Sequence, residues 1–200
     1  MKKGFTLIEL LIVVAIIAIL AAIAIPNFLA AQVRAKVSRT QSDMASMATA
    51  IESYMVDNNE YPPYGRVIGT SYTTEYPAVV NEMTGPQEYV SRGLTTPIAY
   101  MSSIPTDPFA TGGTTPLPFI REYNYLNLNQ HLANFTQPPP AWTGLLKPRW
   151  GEWRMAACGP DGDRGADIKS NITYDPTNGT VSNGDIVRCQ ARSDNSPPAF

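Results

Sequence analysis

The sequence predicts an α+β protein: one long N-terminal α-helix, membrane-spanning in its first half, packed on a small, mainly antiparallel β-sheet head. Three observations carry this reading. From Leu10 to Ile25 the chain runs LLIVVAIIAILAAIAI without a polar side chain. From Asn27 to Asp57 apolar residues recur at helical spacing. All of the 18 prolines except Pro26 lie at or beyond Pro62, so the composition turns from helix-rich to loop-rich near residue 60. The implied boundaries are a short basic segment (1–4), a membrane span (5–25), an amphipathic helix continuing into the head (26–58) and a globular β-rich head (59–200).

Residues 5–25 make about 31 Å of helix, enough to cross the hydrocarbon of a bilayer. Glu9 lies inside that span, at a cost of roughly 2.5–3.5 kcal/mol on insertion scales, so it needs a partner. Pro26 removes a backbone donor and is expected to bend or loosen the helix. Beyond it, Val33, Val37, Met44, Met47, Ile51 and Met55 form one apolar stripe, with Arg34, Lys36, Arg39, Asp43 and Glu52 off it. The stripe is expected to pack beneath the sheet. Asp57-Asn58-Asn59 and then Pro62-Pro63 stop the helix.

The head opens on Glu60-Tyr61-Pro62-Pro63, followed by a Gly, Thr and Tyr-rich loop region and a short helix near Tyr89 to Met101. Glu122-Tyr123-Asn124-Tyr125-Leu126 alternates as a strand does, and Trp153-Arg154-Met155-Ala156-Ala157 reads as another. Between them, Asn127 to Gly151 looks like an insertion whose aromatics pack on the head. Asp175 to Thr180 forms a turn between Ile172-Thr173-Tyr174 and Val181, and Gly184 to Arg188 reads as the last strand.

Other classes find little support. A net charge of −2 with 16% charged residues gives no broad basic face for nucleic acid. His131 is the only histidine, so a histidine-based triad or metal cluster is unsupported, and no phosphate-binding glycine loop occurs. Nothing in the chain points to an enzyme. A secretory signal peptide would use Lys2, Lys3 and Ala22-Ile23-Ala24, but the apolar stretch is too long and Glu9 interrupts it. An ordinary membrane anchor leaves Glu9 and Gly4 without a role. Asn134, Asn171 and Asn178 each open an Asn-x-Thr triplet, read as chance matches.

The segment MKKGFTLIELLIVVAIIAILAAIAIP resembles the N-terminus of type IV prepilins and type II secretion pseudopilins. Gly4, Phe5, Thr6, Leu7, Ile8, Glu9 and Pro26 match that pattern. The resemblance implies a type IV pilin fold, with the leader 1–4 removed between Gly4 and Phe5 and the new Phe5 amine methylated by a prepilin peptidase/methyltransferase. Methylation keeps the amine's charge, which can neutralise Glu9 of a neighbouring subunit away from water. The implied partners are further copies of the chain through their N-terminal helices, an inner-membrane assembly platform with its ATPase, and the membrane itself. The implied location is the inner membrane as a single span, N-terminus cytoplasmic and head periplasmic, and then a filament.

Within the head, Tyr61-Pro62, then Pro105-Thr106-Asp107-Pro108-Phe109, then Tyr123-Asn124-Tyr125 resembles the major pseudopilin of type II secretion, whose periplasmic filament pushes folded substrates outward. The alternative is a type IV pilin of a surface pilus for adhesion, motility or DNA uptake. No cofactor is required. The family resemblance places calcium in the loop DGDRGAD through Asp161, Asp163 and Asp167, a pattern of hard oxygen ligands with permissive glycines; a solvated turn is the competing reading. Cys158 and Cys189, an even count beyond a membrane span, suggest one disulfide like the C-terminal one of many pilins, against two buried free thiols.

Overall fold

The computed structural model describes residues 5–68, 71–73, 88–89, 92–110, 123–133, 146–162, 173–175, 177 and 184–193. Helix α1 runs over Leu7–Asn58, 52 residues, and continues through Pro26. Beside the donor that Pro26 lacks, Asn27 adds one: its Nδ2 donates to the Ile23 carbonyl at 3.1 Å. The helix ends where Asn59 turns into the left-handed region, φ 57°, and its N–H closes on the Met55 carbonyl at 2.8 Å. Asparagine tolerates that conformation better than most side chains, which makes it a C-cap.

The C-terminal half of α1 buries Val37, Thr40, Met44, Met47, Ala48, Ala50 and Ile51, while Val33 and Met55 pack partly against the same core. This is the apolar stripe read from the sequence, widened by small residues that let the sheet approach.

The strands are β1 (Gly65–Ile68), β2 (Ser71–Thr73), β3 (Glu88–Tyr89), β4 (Asn124–Asn127), β5 (Trp153–Ala157) and β6 (Ile186–Cys189). They form one sheet in the order β2-β1-β3-β4-β5-β6, every neighbouring pair antiparallel. Its best-paired part is β4-β5-β6, in register from Tyr125↔Met155 to Met155↔Arg188. Tyr123, Tyr125, Leu126, Trp153, Met155, Ile186 and Val187 are buried in the core.

One expectation changes. The short helix near Tyr89 to Met101 is instead strand β3 followed by a single 3₁₀ turn, Arg92–Leu94. Gly93, the β-branched pair Thr95-Thr96 and Pro97 leave no run able to propagate a helix. Thr173 forms an isolated parallel bridge with Asp185. The described parts of the 127–151 insertion pack on the head: α2 (Leu128–Ala133) buries Leu128 and His131, and the helical residues 146–150 bury Leu146 and Trp150, while Trp142 lies outside the described residues.

Candidate functional site

The first half of α1 stands clear of the head. Its large apolar side chains, from Phe5 through Ile12, Ile19 and Ile25 to Phe28 and Leu29, are exposed. It is also the helix long and apolar enough to cross a membrane. Such a continuous apolar surface is unstable in water and must be covered by lipid or by other helices.

At its N-terminus the sequence builds its own cap. Thr6 is extended (φ −80°, ψ 152°) and its Oγ1 accepts from the Glu9 N–H at 3.3 Å. In return the Thr6 N–H and hydroxyl donate to Glu9 Oε2 at 2.9 and 2.6 Å. This capping box satisfies donors that a helix start leaves open, and puts a carboxylate at the positive end of the helix dipole. Both bonds fall on Oε2, so Oε1 remains for another partner. The Thr-x-x-Glu spacing of Thr6 and Glu9 is the sequence signal of such a cap. Gly4 lies outside the described residues; Phe5 is exposed.

Where α1 meets the sheet, two carboxylates read as off-stripe charges prove to be clamps. Asp43 accepts from the Tyr123 hydroxyl at 3.1 Å. Glu52 accepts from Trp153 Nε1 at 2.8 Å through one oxygen and from the Tyr61 hydroxyl at 3.1 Å through the other. Gln190 Nε2 donates to the Tyr61 hydroxyl at 2.6 Å, extending the network to β6. Burial, then the charge of Glu52, pushes the Tyr61 phenol up to about 12. Tyr123 is raised too, by burial and then Asp43, and Tyr125 well above its usual range, chiefly by burial. All three stay neutral donors at physiological pH.

Asp107, the aspartate of Pro-Thr-Asp-Pro-Phe, is buried and accepts from the N–H groups of Phe109 and Cys158 at 2.9 and 2.8 Å. It therefore ties the 104–110 loop to the end of β5. The next residues turn, with the Gly162 N–H on the Gly159 carbonyl at 3.0 Å and Gly162 at φ 76°. Asp161 is exposed on that turn, whereas Asp163 and Asp167 lie outside the described residues.

The disulfide needs correction. Cys158 and Cys189 are both buried and are not joined in a disulfide. The β5–β6 register pairs Cys189 with Arg154, four residues before Cys158, which separates the two cysteines by roughly 13 Å, about twice what a bridge spans. His131 is buried with its Nδ1 3.5 Å from the Tyr64 hydroxyl, a core position. Arg154, also buried, lies over the Trp150 ring with its guanidinium carbon 5.1 Å from the centroid.

Comparison with known proteins bears on the whole chain. Residues 1–25 match the prokaryotic N-terminal methylation motif. Type II secretion system core protein G of Pectobacterium carotovorum subsp. carotovorum is 30% identical over 156 residues, 77% of this chain and 86% of that protein. The chain belongs to the core protein G family. The Aeromonas hydrophila core protein G is 32% identical over 113 residues, 54% of this chain and 68% of its own. The type IV major pilin protein PilA of Myxococcus xanthus is more similar locally, 48% identical, but over 68 residues, 34% of this chain and 31% of its own. The core protein G likeness thus covers most of the chain and the PilA likeness about a third of it. No solved structure matches.

Proposed function

We propose that the chain is a structural subunit of a type II secretion pseudopilus, a filament-forming pseudopilin and not an enzyme. The observation that carries this is the length of the core protein G match, joined to an apolar half-helix left uncovered by its own head. The surface-pilus alternative drew on a C-terminal disulfide, and the strand register removes that support. In this reading residues 1–4 are a leader cut between Gly4 and Phe5, and Phe5 is N-methylated by the prepilin peptidase/methyltransferase. Residues 5–25 hold the subunit in the inner membrane, N-terminus cytoplasmic and head periplasmic. Copies then polymerise through their N-terminal helices, driven by a membrane platform and its ATPase. Glu9 Oε1, left over by the capping box, receives the methylated amine of a neighbour. Pro26 stands just after residues 5–25, and the exposed apolar surface continues past it to Phe28 and Leu29.

The test is the intact mass and N-terminal sequence of the protein from its native membrane. The expected result is a chain starting at Phe5 with one added methyl group. A start at Met1 or near Ile25 would end this reading.

A further inference from the structure

The first charges after Glu9 along α1 are Arg34, Lys36 and Arg39, and residues 10–42 contain no carboxylate. All three cations are exposed. Leu29 is the last large exposed apolar side chain of the N-terminal half. At 1.5 Å per residue, Arg34 lies about 7 Å beyond it, Lys36 about 10 Å and Arg39 about 15 Å. The polar layer on each side of a bilayer is roughly 5–7 Å deep, and long basic side chains reach back toward it.

The azimuths matter as much as the depth. At about 100° per residue, Lys36 and Arg39 fall on one side of the helix and Arg34 on the opposite one. A flat protein face meets one side only, whereas a membrane surface surrounds the helix. The head begins at this level, because Lys36 Nζ lies 5.6 Å from the Phe109 ring centre in the 104–110 loop. Asp43 is the nearest carboxylate on α1; it approaches Arg39 at 3.7 Å, yet the Arg39 side chain stays 65% exposed and Asp43 is shared with Tyr123. Arg34 and Lys36 have no described carboxylate opposite them.

From this we infer that Arg34, Lys36 and Arg39 form a basic collar that binds the headgroups of anionic phospholipids at the membrane surface beneath the head, fixing the depth of the subunit before it leaves the bilayer. The inference rests on the membrane-span reading. Each cation near a negatively charged surface strengthens binding on the order of five-fold, and salt weakens it.

The full chain is reconstituted in nanodiscs of phosphatidylcholine with and without phosphatidylglycerol, and spin-labelled forms of each lipid report which is held at the protein surface. The expected result is a several-fold preference for phosphatidylglycerol that falls several-fold in Arg34→Gln/Lys36→Gln/Arg39→Gln and also falls in high salt. Arg34→Lys/Arg39→Lys, which keeps the charge, should retain it. Lys2 and Lys3 are common to all these proteins and cancel in the comparison. Equal preference in the wild type and the triple glutamine variant, with both proteins inserted, would overturn the collar alone. Failure of the wild type to insert would overturn the membrane span together with it.

Discussion

At the scale of single residues, the joint between helix and head is polar where the sequence stripe suggested only apolar packing. Glu52 holds β5 through Trp153 and the start of the head through Tyr61, one oxygen each. A hydrogen bond to a charged acceptor contributes about 1.5–3 kcal/mol, against about 1 for a neutral pair. Trp153→Phe keeps most of the buried ring and deletes the donor, so it should lower stability by about 1–3 kcal/mol. Glu52→Ala should cost more, because it also strands Tyr61. Denaturant unfolding of the two single variants and the double variant measures the coupling directly. A coupling energy near zero would mean that the short Trp153–Glu52 contact adds nothing. These contacts were not legible beforehand: Asp43 and Tyr123, or Glu52 and Trp153, are distant in sequence, and a charge beside an apolar stripe reads as solvated until the facing strand is known.

At the scale of elements, local pattern and long-range register separate clearly. The stop of α1 at Asn58, the buried stripe from Val37 to Ile51 and the strand Trp153–Ala157 follow from periodicity and breakers. The cysteine pair failed because a count of two says nothing about register, which the β5–β6 hydrogen bonds set. The hairpin of β1 and β2 was hidden in a segment rich in Gly and Thr, where composition favours a loop. Asp107 was legible as part of a motif, yet its work is structural: it fastens the 104–110 loop to the turn that leads into the aspartates. On that turn Asp161 is exposed and Gly162 is in the left-handed region. From the family resemblance we propose that calcium, held by Asp161, Asp163 and Asp167, raises the melting temperature of the full chain. At 100 times its dissociation constant a ligand specific to the folded state adds ~2.7 kcal/mol. Magnesium should do much less, and Asp161→Ala should reduce the calcium effect. Identical melts in calcium and in chelator would leave the loop a simple turn.

At the scale of the whole molecule, the large apolar side chains of the first half of α1 are exposed, covered by none of the described residues of the head, and that surface demands a bilayer or neighbouring helices. A subunit of this shape is complete only in company, and its one carboxylate in that region has to serve both states. In the single chain Glu9 caps the helix through Oε2; in a filament it would also neutralise the Phe5 amine of the next copy. The two roles can be separated by substitution. Glu9→Leu removes both, should insert more easily because a charge is gone, and should assemble poorly. Glu9→Gln keeps an acceptor for the Thr6 N–H and hydroxyl but carries no charge. Thr6→Ala weakens the cap, by about 0.5–2 kcal/mol for such positions, and leaves the charge. If pairing with the amine governs assembly, Glu9→Gln should yield filaments as poorly as Glu9→Leu, while Thr6→Ala assembles near the wild-type level. Filament yield by sedimentation and electron microscopy, normalised to inserted subunit, distinguishes the cases. Normal filaments from Glu9→Gln beside poor ones from Thr6→Ala would make the cap the decisive role and reject the intersubunit charge pair.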